Sequence, residues 1–185
     1  MGHNGVLSNS GTFRTQPDDV RAIVNVHLAA ARARWGLAAG VIDVCLYVHG
    51  GLVSEEAAAQ TAAQWIPLLY DQKIFPVFLM WETDFMRTLQ GHLEDAIKGV
   101  PRTTPGASLN DWWNERLERA LARPGTALWR EIQHNAEAMS AHHPDRPDNA
   151  QSGCVQLYRH VGAGLARQKI RMHLVAHSAG SVAAS

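Results

Sequence analysis

Cysteine is scarce here, with two in 185 residues, Cys45 and Cys154, which excludes a disulfide framework and points to a reducing compartment. Charge of one sign is missing too. The 17 basic and 17 acidic side chains cancel to a formal net charge of zero. No overall field draws the chain to nucleic acid or to anionic lipid. No apolar run approaches the roughly 20 residues that a bilayer span requires. The opening Met1-Gly2-His3-Asn4-Gly5 lacks the charged and apolar regions of a secretory signal. There is no GxGxxG, no P-loop, no CxxC, no internal repeat and no low-complexity tract. No cofactor and no metal site are therefore expected, and a cytoplasmic location is the default.

The length suits one domain with its own core. Residues 1–15, rich in Gly, Ser and Asn, are expected to be poorly ordered. Thr15 then stands where a helix cap would, ahead of Pro17, Asp18 and Asp19, all favourable in a first turn. Val20, Ile23, Val24, His27, Leu28, Ala31 and Trp35 recur at helical spacing up to Gly36. His27 reads as a core-edge histidine, since no partner is spaced for metal binding.

Val41 to Val48 is nearly continuous in β-formers, as in a strand buried on both faces, and it runs into His49-Gly50-Gly51. Ser54 caps a helix with Glu55 and Glu56 in its first turn and a stripe of Ala58, Ala62, Trp65, Ile66 and Leu69. Phe75 to Trp81 reads as a second strand, with Pro76 near its start. Strand, helix and strand in this order predict a crossover in a parallel sheet. Residues 84–147 form a helical insertion that carries Trp112, Trp113 and Trp129, either as a cap over an apolar pocket or as packing. His142-His143 reads as a solvated loop. Asn149 is expected to cap a helix with the stripe Cys154, Leu157, Tyr158, Val161 and Leu165.

The last stretch carries the chemistry. Within Ile170 to Ser181 a short apolar run rich in Leu and Val meets Ser178 between small residues, and helix-tolerant residues follow at Val182-Ala183-Ala184. That is the sequence form of a strand, a sharp turn and a helix start. Small residues at Ala176 and Gly180 flank Ser178 where strand and helix must pass close together. A strained backbone is expected at Ser178. The competing reading is an ordinary Ser-Ala-Gly turn after a strand.

Strand–His-Gly-Gly–helix–strand-Trp followed by strand–His-Ser-Ala-Gly resembles the α/β-hydrolase superfamily, in particular bacterial members whose third strand ends in His-Gly, fourth in Trp and fifth in His-Ser-x-Gly. It covers about residues 41–84 and 148–185 and departs from G-x-S-x-G by Ala176 in the first position. It implies a parallel-sheet, three-layer α/β fold over 16–185. It also implies a serine hydrolase acting on a carboxylic ester or similar small acyl substrate. Ser178 is the implied nucleophile, and the backbone N–H groups of Gly51 and Ala179 the implied oxyanion hole. His49 is implied to stabilise its loop, and His177 to point away from the nucleophile. In the family the acid and the histidine follow the serine. None of the seven residues after Ser178 is acidic or histidine. The resemblance therefore implies an N-terminal portion, truncated after the elbow and inactive alone, with both partners beyond it. The alternative is a hydrolase-like binding or interaction domain without catalysis. Oligomeric state is left open.

Overall fold

The computed structural model describes residues 1–81, apart from 3, 11, 51 and 52, and residues 124–183, apart from 168 and 179. Three parallel strands form one sheet in the order β2-β1-β3. They are β1 (Ile42–Val48), β2 (Ile74–Leu79) and β3 (Ile170–Ala176). Val48, at the end of β1, stands level with Leu79 of β2 and Ala176 of β3. The three strands thus stop together at one carboxyl edge.

Side chains alternate across a strand, and the two faces are covered differently. Ile42, Val44, Phe75, Val77 and Ile170 join the main core with Val20, Leu28, Ala31, Leu157 and Val161. Those partners come from α1 (Pro17–Ala22), a π-helical stretch (Ile23–Leu28), α2 (Ala29–Arg34) and α5 (Gly153–Ala166). On the other face α3 (Glu55–Asp71) sets Trp65 against Tyr47, ring centroids 5.5 Å apart.

The caps follow local chemistry, with two corrections. Ser54 caps α3 as its sequence indicates, accepting from the Ala57 N–H. The first helix is capped one residue later than Thr15, at Gln16, whose backbone N–H donates to Asp19 at 2.8 Å. Asn149 lies in a short 3-10 turn, and Ser152 caps α5 instead, accepting from the Val155 N–H. That shift seats Leu157 and Val161 in the core but leaves Tyr158 65% exposed.

The Gly/Ser/Asn-rich opening has neither helix nor strand among its described residues, and Val6 makes one isolated antiparallel bridge to Ser152. Of the segment 84–147, residues up to 123 lie outside the described residues, Trp112 and Trp113 among them, as does the side chain of Trp129. The remainder supplies α4 (Pro124–Ser140). Met139 of α4 is buried with Val48 and Trp81, and Ala176 packs on the same cluster. Helix α4 therefore lies at the carboxyl edge of the sheet and also packs against α6 (Gly180–Ala183). The loop after it is largely exposed, His142 included, as its sequence indicates, and Gln151 ties it to the fold. Gln151, 1% exposed, donates to the His143 and Arg146 carbonyls, and its Oε1 accepts from the His143 N–H.

Candidate active site at the carboxyl edge

In an open parallel α/β sheet, ligands bind beyond the carboxyl ends of the strands. Gly50, Trp81 and Ser178 each stand two residues past a strand end at that edge. Neighbouring strands bring the first and last of these together. A Cβ built on Gly50 would stand 3.2 Å from Ser178 Cβ and 3.1 Å from His177 Nδ1. A side chain there would crowd the turn, because the chain leaving β1 runs against it.

Ser178 is exposed and has φ 53°, a left-handed backbone in a residue with a Cβ. That conformation costs about 1–2 kcal/mol. The surroundings impose it. Before Ser178, the His177 N–H donates to the Val48 carbonyl at 3.1 Å and holds the chain on the sheet. After it, the turn closes through the Gly180 N–H to the His177 carbonyl at 2.9 Å, and the Ser178 carbonyl accepts from both the N–H and the hydroxyl of Ser181. Gly180 lies so close to β1 that a Cβ would stand 2.5 Å from the Val48 carbonyl oxygen and 2.6 Å from that of His49. Strand, turn and helix are thus locked within five residues.

His49 is 3% exposed and has both ring nitrogens engaged. Its Nε2 accepts from the Trp81 backbone N–H at 3.0 Å, so the proton sits on Nδ1, which donates to the Gly50 carbonyl at 2.8 Å. The Trp81 indole N–H returns a bond to the His49 carbonyl at 3.0 Å. Burial holds the imidazole below its ordinary pKa, against the opposing effect of the Gly50 bond. His49 is a neutral brace tying β1 to β2 beside the turn. Sequence spacing puts His49 and Trp81 at strand ends, but not in contact.

A second histidine has a carboxylate partner. His173 Nε2 lies 2.7 Å from Asp43 Oδ1, and Arg171 Nη1 3.1 Å from the same oxygen. The His173 bond leads in holding Asp43 below the usual carboxylate range, with Arg171 adding to it. This group cannot serve Ser178. His173 lies five residues back along β3, roughly 16 Å at about 3.3 Å per residue. Among the described residues, no ring nitrogen is hydrogen-bonded to the Ser178 hydroxyl. Neither thiol competes as a nucleophile. Burial raises Cys45 and pushes Cys154 up to about 11, so both stay protonated near neutral pH.

Of the residues singled out from the sequence, Ser178 and Gly50 are brought together, whereas Gly51 and Ala179 lie outside the described residues. Among the described residues no group of three His, Cys, Asp or Glu side chains could hold a metal ion, and no helix is long and apolar enough to cross a membrane. No family model matches the chain, and neither a curated protein nor a solved structure does.

Proposed function

We propose that the chain carries the nucleophile of a serine hydrolase of the α/β type, acting on a carboxylic ester or similar acyl substrate. The supporting observation is the left-handed, exposed Ser178 between β3 and α6, with Gly180 pressed on β1 behind it. A strained serine held clear of its own strand is what an attack on a carbonyl carbon requires. In this reading the Ser178 oxygen bonds to the acyl carbon and the carbonyl π pair moves to oxygen. Backbone N–H groups of Gly51 and Ala179 hold that oxyanion. The tetrahedral centre collapses, the alcohol leaves with the serine's proton by way of a base, and water then releases the acid. Among the described residues His49 is fully engaged and His173 is out of reach, so neither serves as that base. The protein is expected to react with a fluorophosphonate probe at Ser178 alone, as read by intact-mass and peptide mass spectrometry. Labelling that survives Ser178→Ala overturns the assignment.

A second reading, a hydrolase-like interaction domain, draws on β3. It is an edge of the three-stranded sheet among the described residues, and Leu174 and Val175 on its opposite faces are 50% and 36% exposed. Such an edge is open to pairing with another strand. The protein is expected to self-associate through this edge in a sedimentation experiment, and a monomer contradicts that reading.

A further inference from the structure

A cavity of about 330 Å³ lies on the far side of β1 from Ser178, between the opening segment of the chain, β2, and the helices α1 and α5. Leu7, Phe13, Val20, Ile23, Val77 and Leu157 give it apolar walls. No residue of β1, of β3 or of the Ser178 turn lines it. Ligand pockets have this character, a volume of about 300 Å³ or more and mostly apolar walls with a few polar groups.

The wall formed by the opening segment is fixed in place. The Gly153 N–H donates to the Gly5 carbonyl at 2.9 Å, and the Thr15 N–H to the Ser8 carbonyl at 2.7 Å. Gly5 has φ 73°, and a Cβ there would run into the Ala138 carbonyl of α4. A Cβ on Gly153 would meet the Met1 side chain. The segment thus fits closely on α4 and α5, and Leu7 packs on the main core. Between Leu7 and Thr15 it nevertheless leaves the cavity open against β2. Such a cavity is a preformed site, not a gap under a loose loop.

Two charged side chains stand among the described lining residues, Arg14 and Glu55. Their settings differ. Glu55 opens α3, where unbonded backbone N–H groups and the helix dipole offset its charge. Arg14 is exposed and lies outside any helix, so its charge is not offset in this way. The N-terminus of the 17-residue α3 and the Arg14 guanidinium therefore both favour an anion at the mouth. The apolar walls call for a hydrocarbon chain behind it. An apolar cavity of about 150 Å³ takes one benzene ring, so about twice that volume suits a chain of about eight to ten carbons.

We propose that this cavity binds a medium-chain aliphatic carboxylate, with its chain against Ile23, Val77 and Leu157 and its carboxylate paired with Arg14. The site is separate from Ser178 and does not rest on the hydrolase reading. The test is isothermal titration calorimetry of the protein with octanoate, 1-octanol and octylammonium, which share a chain and differ in the head. Octanoate is expected to bind saturably and about tenfold more tightly than either of the others, as a charge-assisted bond allows. Arg14→Gln should bring octanoate down to the affinity of octanol and leave octanol unchanged. Ile23→Phe adds volume at an apolar wall and should weaken both by about tenfold or more. Leu7→Phe serves the same purpose should Ile23→Phe not fold. No saturable binding of octanoate overturns the proposal. Tightest binding of octylammonium does so too, since Glu55 would then govern the mouth. Equal losses for octanoate and octanol in Arg14→Gln, or undiminished binding in the folded filling variant, also overturn it, because the ligand would then sit elsewhere.

Discussion

Two non-glycine residues of the described chain are left-handed, Lys73 at φ 58° and Ser178 at φ 53°. Their backbones are nearly alike, and their settings differ. Lys73 follows the end of α3, and its N–H closes on the Tyr70 carbonyl at 3.0 Å while the Gln72 N–H closes on Leu69. A left-handed residue just past a helix is a common way to satisfy the last carbonyls. The strain there has a local return in hydrogen bonds. Ser178 precedes a helix, where no such capping is needed. Its φ is imposed by tertiary contacts: β3 fixed to β1 on one side, and Gly180 jammed against the Val48 and His49 carbonyls on the other. Strain that ends a helix is ordinary. Strain that starts one, and lifts an exposed hydroxyl off the strand, is the stronger sign of a reacting group.

The comparison breaks most completely at Gly180. A methyl there must occupy space 2.5 Å from one backbone oxygen and 2.6 Å from another, and neither is a side chain that can swing away. Gly180→Ala is expected to cost about 3 kcal/mol, at the upper end for overpacking, and to abolish labelling of Ser178. Gly36→Ala is the control. Gly36 has φ 71° but nothing within 4 Å of a built Cβ, so only backbone strain of about 1–2 kcal/mol is at stake. Urea midpoints of both variants decide it. Equal losses at the two positions would show that crowding against β1 does not shape the turn.

Periodicity and turn chemistry made much of this legible from the sequence. The β1–α3–β2 unit, the Ser54 cap and the elbow strand all follow from local pattern, because each is set by residues close in the chain. The adjacency of β1 and β3 was not readable residue by residue, since 128 positions separate Asp43 from Arg171. Caps slipped where several candidates sat together. Thr15 and Gln16 compete at one helix, and Asn149 and Ser152 at another, and packing of the following stripe decided both. The π-helical stretch from Ile23 to Leu28 has no local signature, yet its last residue Leu28 is buried, as is Ala31 after it, while Val26 is 58% exposed.

His49 sharpens the comparison from the β1 side, with a smaller effect. If it braces the loop that confronts Ser178, removing it should loosen the site without touching that serine. His49→Ala leaves the buried Trp81 N–H without its acceptor, a loss of about 1–3 kcal/mol. Its pH dependence has a definite sign. Burial places the folded pKa below the ordinary value of about 6.5. Between those two values the unfolded chain binds a proton that the folded chain does not, so stability falls as the pH is lowered through that window. The contribution is fully present above about pH 6.5. Urea midpoints from pH 8 down to pH 4 should show this slope in the parent and a reduced one in His49→Ala. Identical slopes would mean that His49 is not the neutral brace described.

The smallest effect tests the strain itself. Glycine at a left-handed position relieves about 1–2 kcal/mol of crowding but adds about 0.5–1 kcal/mol of unfolded-state freedom. Lys73→Gly should therefore be more stable than Lys73→Ala by roughly 0.5–1 kcal/mol, since alanine keeps the strain and glycine does not. The same pair at Ser178 should show a gap of similar size, because the two φ values differ by so little. Both Ser178 variants lose the hydroxyl, so their difference reads the backbone alone, free of any contribution from the side-chain oxygen. Function then separates the sites: the Lys73 pair keeps fluorophosphonate labelling and the Ser178 pair loses it. A gap at Lys73 with none at Ser178 would mean that the turn relaxes in solution to an ordinary conformation, and the serine would lose its claim to be held for attack. A gap at both, with labelling lost only at Ser178, leaves strain without a capping role as the feature that distinguishes Ser178.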